Sequence, residues 1–532
     1  MGAKHSVLVR GLKAAGEDRF LTGGKFGRLF PNLPTATYGT DEAGNLKKLA
    51  DAMVSELDPP KDSPDDEESG IPAIYTYFGQ FIDHDLTFDP NSTFQKKKDP
   101  DATINFRTAA FDMDNIYGRG PGDQPYLYDT DGVSFRLGDP ITQGNPAGAF
   151  DLQRNGAGRA LIGDPRNDEN AIVSQLQGLV LRFHNRMAAE HDVPFAELQE
   201  KVRHRYQYVV LNDFLPRIVS AAVLDSLKVN GVFDKSKLRL FNDLKHPFIP
   251  VEFSTAAYRL GHSMIRPGYR LNDTVLLPIF PISADATAGK LPFPEGLTGF
   301  RRLISDWALD WGRFIDLDTR DYGVDTGTTT PNDQQQLQNF RRLQFAYRID
   351  TALVEPLINL PASVAGDPPP SLALRNLLRG REFGLPSGQQ VAQAIGVTAL
   401  EDSQILIGQG IKGSLNTLPN ITTIAGSVFN GNCPLWTYIL AEAMQNQVDV
   451  NIPVTDGKVI STPQLGQVGG RIVAETFLAL MFADGGSYIA KDAHWAPDGN
   501  HGYGLKDFLN YALGKPVSRA PAAAPSVPVM AK

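Results

Sequence analysis

The chain has 532 residues, 42% of them hydrophobic and 21% charged, with 51 basic residues against 60 acidic ones and a net charge of −9. That composition excludes a mostly disordered chain, a collagen-like repeat and a coiled-coil rod, and it lacks the basic stripe that a nucleic-acid partner needs. The single cysteine, Cys433, excludes intramolecular disulfides and cysteine-rich metal sites.

The first twenty residues, MGAKHSVLVRGLKAAGEDRF, hold only a three-residue apolar run, too short for a signal-peptide core. No stretch approaches the roughly eighteen uninterrupted apolar residues of a spanning helix, so the expectation is a soluble protein with no transmembrane segment, cytoplasmic or exported by a non-standard route. Residues 58–70 (DPPKDSPDDEESG) predict an exposed acidic loop. Helical spacing follows at 75–86, and Lys96, Lys97 and Lys98 then read as a solvated loop. In 170–191, Ile172, Val173, Leu176, Leu179, Val180, Phe183 and Met187 recur at three- and four-residue intervals, which predicts a helix. Similar patterns predict helices at 206–224 and 254–265, the last stopped by Pro267. Pro368, Pro369 and Pro370 mark a break at 366–371, and residues 516–532 form a Pro/Ala-rich tail without a burial pattern. Fifty glycines and 38 prolines imply long connections. The expected fold is mainly α, a large loop-rich single domain over 1–515 with little β-structure.

Nine histidines allow each context to be weighed. His84 lies in YTYFGQFIDHDLTFDP; on a helix it shares a face with Gln80, with Asp83 at the edge and Asp85 about 100° away. A solvated helix end and a small metal site both remain open on that pattern. In RTAAFDMDNIYG, Asp112 and Asp114 alternate and Thr108 stands four residues earlier; oxygen ligands at that spacing suit calcium, and Asp-x-Asp in an ordinary turn is the alternative. His262, in TAAYRLGHSMIRPGYRLND, has Arg259 on its helical face and Gly261 leaving room beside the ring for a bulky planar partner. His184, in LRFHNRMAAEH, competes equally by local argument.

Taken together, these segments resemble the animal-type haem peroxidases (the peroxidase–cyclooxygenase superfamily). FGQFIDHD is similar to the family's distal-histidine segment, TAAFDMDNIYG to its calcium loop, and IGDPRNDE to its catalytic-arginine segment. LRFHNRMA is similar to the helix that follows, YRLGHSMIRP to the proximal-histidine helix, and LRNLLRGREFGLP to the later segment that carries the proximal asparagine. The six matches run in family order from Phe78 to Pro386.

The resemblance implies a haem-dependent peroxidase that reduces hydrogen peroxide and oxidises halides, thiocyanate or small aromatic donors, with a link to oxidative stress. It implies haem b as cofactor, His262 as ligand of the haem iron, Asn376 as acceptor of a hydrogen bond from that imidazole, and Arg259 beside a propionate. His84 becomes the distal proton carrier, Arg166 its cationic partner, and Gln80 a residue orienting water, peroxide or halide. Asp83 and Glu169 match the carboxylates that form ester bonds to haem methyl groups, whereas Asn170 stands where a methionine would make a third link. Calcium would be held by Asp85, Thr108, the Ala110 carbonyl, Asp112 and Asp114. Phe383 stands where many members have histidine, and the missing disulfides and signal peptide suggest a bacterial-type member.

Fatty-acid haem dioxygenases share the superfamily and need a tyrosine three residues before the proximal histidine. Arg259 occupies that position and Tyr258 is one residue out of register, which ranks peroxidase above lipid oxygenase. A catalase-like scavenger is a further alternative. An adhesion role lacks an RGD or KGD tripeptide.

Overall fold

The computed structural model describes residues 26–55, 61–88, 105, 107–143, 148–241, 243–280, 296–325, 332–411 and 413–516. Lys96, Lys97, Lys98 and all but the first residue of the expected 516–532 tail lie outside that set. Helices dominate, joined by long irregular connections, and every sheet among the described residues is a two-stranded pair. The mainly α expectation therefore stands.

The principal elements in chain order begin with α1 (Glu42–Ala52), β1 (Glu68–Pro72) and α2 (Ile74–Leu86). Next come α3 (Ala171–Glu190) and α4 (Phe195–Val209), which runs into a π-helical turn at Val210–Phe214. After β2 (Phe345–Tyr347), the chain forms α5 (Leu372–Glu382), α6 (Leu435–Gln445), α7 (Gly469–Ala483) and α8 (Leu505–Leu513).

The helix expected at 170–191 forms where its periodicity places it. Asn170 caps it, accepting from the backbone N–H groups of Ile172 (3.1 Å) and Val173 (2.9 Å) and satisfying two donors that a helix start leaves open. Its apolar stripe packs on α8, where the rings of Phe183 and Phe508 stack at 3.8 Å. On α2, Phe78 and Phe81 meet Tyr206 of α4 edge-on, at ring distances of 6.1 and 6.0 Å, a favoured aromatic geometry. This clamps α2 between α4 and the rest of the core. Its other side is free to face a cavity.

Three expectations need correction. Residues 58–70 are not simply an exposed loop: of the part described, Glu68, Ser69 and Gly70 are buried, and Glu68 starts β1, which pairs antiparallel with β2. The Glu68 charge is tolerated there because Arg266 and Arg342 both reach it, the latter through Nη1 at 2.8 Å. The helix expected at 254–265 is two pieces, an α-helical turn at Val251–Thr255 and a 3₁₀ helix at Ala257–His262, with Ala256 (φ −133°, ψ −73°) breaking the run. The helix expected at 206–224 starts earlier, at Phe195, and is interrupted at Val219, which is extended and bridges Leu465. Among the described residues, no helix is long and apolar enough to cross a membrane.

Candidate active site

A cavity of about 540 Å³ opens between α2 and the 3₁₀ turn that carries His262. Gln80, Asp83 and His84 line it from α2, Arg166 and Glu169 from the segment before α3, and Arg259, Gly261 and His262 from the turn. A 3₁₀ helix eclipses residues three apart, so Arg259 and His262 share one side although the segment is not α-helical. A side chain added at Gly261 would meet nothing within 4 Å. Room is therefore left beside His262, as a planar group requires.

His84 is 4% exposed. Its Nδ1 lies 2.7 Å from Oδ1 of Asn167, whose own Nδ2 donates to Gln177 Oε1 at 2.7 Å. An amide oxygen only accepts, so Nδ1 carries the proton and Nε2 keeps a lone pair. That lone pair faces Glu169, with Nε2 3.5 Å from Oε1. Burial, reinforced by the Arg166 guanidinium, pulls the His84 pKa down to about 4. Burial pushes the Glu169 carboxyl up to about 7, with Arg166 opposing. Gln80 is held at both ends of its amide: Nε2 donates to Glu169, and Oε1 accepts from Asn170 at 3.3 Å. Asp83 accepts from the Thr87 hydroxyl at 2.9 Å.

Arg166 sits on a 3₁₀ turn, Pro165–Asp168, capped by Asp164. Its Nε and Nη2 grip the two oxygens of Asp164 at 3.1 and 2.8 Å, and Nη2 also donates to the carbonyls of His84 (3.2 Å) and Thr87. The guanidinium lies over the Phe88 ring at 4.7 Å. Burial alone would raise the Asp164 carboxyl, but Arg166 and Arg107 outweigh it and hold the group well below the usual range.

On the other wall, Asn376 of α5 places Nδ2 2.8 Å from Nδ1 of His262. In that orientation the amide donates; turned by 180°, Oδ1 accepts from Nδ1–H and leaves the Nε2 lone pair for a metal. The acceptor role expected for Asn376 needs the second orientation. Burial, then the nearby Arg259 charge, pulls the His262 pKa down to about 3. Arg259 itself donates from Nε to the Ser254 carbonyl at 2.9 Å.

The rival histidine resolves differently. His184 is fully buried in the core, with Nδ1 3.1 Å from the Tyr117 hydroxyl and Nε2 2.9 Å from the Val133 carbonyl. Both nitrogens are spent on structure.

Asp85 turns away from His84, as its helical phase requires, and meets Asp112 and Asp114 in a buried group in which one carboxylate oxygen from each lies within 4.8 Å of the others. Neither Asp85 oxygen meets a well-formed hydrogen bond, and burial followed by the two aspartates pushes its carboxyl well above the usual range. Thr108 Oγ1 is 2.6 Å from Asp112 Oδ2, so the loop residues converge on this group. Met113 between them adopts the left-handed conformation (φ 57°), which curls the chain at a cost of roughly 1–2 kcal/mol. Sequence reasoning missed Asn167, Asp164 and Arg107. Asn167 and Asp164 flank Arg166 in IGDPRNDE, but nothing local shows that Asn167 reaches His84 across 83 residues.

Residues 91–283 match the family model described as Animal haem peroxidase. The match includes the aspartate loop, Arg166 and His262, and begins just after His84. Peroxidasin of Drosophila melanogaster is 24% identical over 331 residues, 58% of this chain and 19% of that protein. Human thyroid peroxidase is 28% identical over 250 residues, 45% of this chain and 23% of that protein. The chain thus spans about a fifth of the length of the curated relatives it matches. Among solved structures, peroxidase A of Dictyostelium discoideum superposes with a TM-score of 0.54 at 15% identity, over 93% of this chain and 91% of that one. The Oryza sativa fatty acid alpha-dioxygenase with palmitic acid gives 0.51 at 14% identity, over 91% and 78%. At such identities the structural likeness speaks for the fold alone. The segment 91–283 thus carries the likeness to the animal haem peroxidase family, and across the rest of the chain the likeness to solved structures is one of fold.

Proposed function

We propose that the protein reduces hydrogen peroxide with electrons from a halide, thiocyanate or a small aromatic donor, using haem b held by His262. The observation that carries this is one cavity bounded by two imidazoles, the buried His84 and the half-buried His262, both with pKa values pulled down chiefly by desolvation. The residues present fit haem. The cavity has the size for it, Gly261 opens onto it, and the guanidiniums of Arg259 and Arg379 line it and would pair with carboxylate substituents. Haem, when bound, supplies the redox chemistry that passes two electrons to peroxide.

The chain's own groups handle protons and charge. Nε2 of His84 takes the proton from one peroxide oxygen and returns it to the other as the O–O bond breaks, while Nδ1–H stays on Asn167 and keeps the ring oriented. The Arg166 guanidinium steadies the negative charge on the departing oxygen. Asp164 and the carbonyls of His84 and Thr87 fix its direction. Gln80, held by Glu169 and Asn170, sets the polar edge of the same space. Asp83 and Glu169, both lining the cavity, are the carboxylates available for ester links to haem methyl groups.

Because His84 acts as a base only when neutral, its pKa near 4 sets the acid limit. The second-order rate with peroxide is expected to stay flat from pH 7 to 5 and fall tenfold per unit below about 4. A histidine with the ordinary value near 6.5 would lose rate about two and a half units earlier. Stopped-flow measurements across pH 3–8 distinguish the two.

Asp85, Asp112 and Asp114, with the Thr108 hydroxyl on Asp112, fit calcium, a hard cation that takes oxygen donors, and the family resemblance adds the Ala110 carbonyl as a further donor. The buried, poorly partnered Asp85 carboxylate is what a cation would satisfy. As Asp85 directly follows His84, an ion there anchors the end of α2. Chelation is expected to lower activity and stability together. The stability loss is about 2.7 kcal/mol where free calcium stood a hundredfold above its Kd. Thermal melts and peroxide turnover before and after chelation check this; full activity after proven removal contradicts it.

Oxidation of lipid by a tyrosyl radical finds less support. Arg259 stands three residues before His262, and the Tyr258 hydroxyl donates to the Gly79 carbonyl at 3.3 Å.

A further inference from the structure

One buried cation is not used by the peroxide chemistry. Arg107 is 8% exposed and lies between the aspartate pocket and Arg166. Its Nη1 is 3.2 Å from Asp114 Oδ1, and Nη2 binds Asp164 Oδ2 and lies 3.4 Å from the Gly163 carbonyl. Asp164, fully buried, is the same carboxylate that grips Nε and Nη2 of Arg166. Arg166 Nη2 donates in turn to the His84 carbonyl at 3.2 Å. Alternating charges therefore run from Asp114 through Arg107 and Asp164 to Arg166, and end on the backbone of the helix that carries His84.

We propose that Arg107 is a positioning residue that couples the Asp85–Asp112–Asp114 cation pocket to the orientation of Arg166 through Asp164. This rests on the reading of that pocket as a calcium site and of Arg166 as acting on peroxide. Four buried acidic side chains (Asp85, Asp112, Asp114 and Asp164) face two guanidiniums, so that with all four ionised two positive charges are missing. One divalent cation supplies them. Charge imbalance is costly where water is excluded, so the groups of this chain hold one another in place.

The arrangement makes Arg107 act in opposite directions on its two neighbours. Its charge repels a cation from the pocket, and its grip on Asp164 keeps that carboxylate aimed at Arg166. Removing the charge strengthens the first and weakens the second. A merely structural role would weaken both.

The test compares wild type, Arg107→Met and Arg107→Lys as haem-loaded full chains. Calcium is titrated calorimetrically into chelator-stripped protein, and the reaction with peroxide is followed by stopped flow. Arg107→Met is expected to bind calcium about tenfold more tightly and to react with peroxide about tenfold more slowly. Arg107→Lys keeps the charge but not the two-pronged grip, so calcium affinity returns toward wild type while the peroxide rate recovers only in part. A parallel loss of both properties in Arg107→Met, or no change in either, overturns the proposal. If Arg107→Met fails to fold, Asp164→Asn decides. A peroxide rate about tenfold lower with calcium still bound supports the link, and an unchanged rate overturns it. If wild type itself ignores peroxide, the peroxidase reading fails separately. Calcium affinity of Arg107→Met then judges the coupling: tighter binding keeps the charge link, and unchanged binding removes it.

Discussion

Replacing His84 by leucine is expected to slow the reaction with hydrogen peroxide by ~10²–10⁴-fold, the usual worth of a positioned acid–base group. The fold and haem content should survive. His84 touches the structure chiefly through one hydrogen bond to Asn167, and leucine fills a comparable volume against the buried face of α2. Asn167→Ala separates two effects of that bond. It leaves the imidazole in place but frees the Nδ1 proton and the ring orientation, so the rate falls by less than in His84→Leu. Stopped-flow rates, with haem content and circular dichroism as controls, read all of this. A His84→Leu protein that reacts at the wild-type rate would remove the proton carrier from the mechanism.

Replacing His262 by alanine is expected to have the larger effect on the cofactor: haem affinity falls more than about 100-fold, and the chain purifies without colour. The scale comes from outer-shell partners of metal ligands, whose loss alone costs roughly 10–100-fold, so losing the ligand exceeds it. Asn376→Leu should fall inside that lower range, because it removes only the partner of Nδ1. The order His262→Ala worse than Asn376→Leu worse than wild type is therefore the expected result of a haem titration. Equal affinity in all three would place the ligand elsewhere.

Much of the site was legible in the sequence because its parts sit on short, regular segments. Local spacing put Gln80 and His84 on one helical face, Asp85 off it, and Asp112 and Asp114 in alternation, but only the family resemblance joined these segments into one site. The choice between His184 and His262 was not legible locally. It depended on the Tyr117 hydroxyl and the Val133 carbonyl, which reach His184 from 67 and 51 residues away in the chain. Long-range pairing also explains the misread acidic segment. Glu68 looks like a solvated loop residue until Arg266 and Arg342 are brought to it. The same holds for Arg107, an ordinary surface-type residue in the sequence and a buried bridge in the fold. The break at Ala256 was hidden for another reason: apolar spacing at 254–265 continues through it, and a 3₁₀ turn keeps residues three apart aligned much as an α-helix does.

On the proposed function, His262 would hold one haem and His84 would stay free to handle the protons of peroxide. The most direct measurement is the absorption spectrum of the purified chain titrated with haem, then given peroxide, then given iodide, bromide or a phenol in turn. Saturation is expected at one haem per chain, with a Soret band that shifts on adding peroxide and returns with at least one donor. A chain that binds no haem, or a Soret band that peroxide leaves unchanged, would contradict the proposed function.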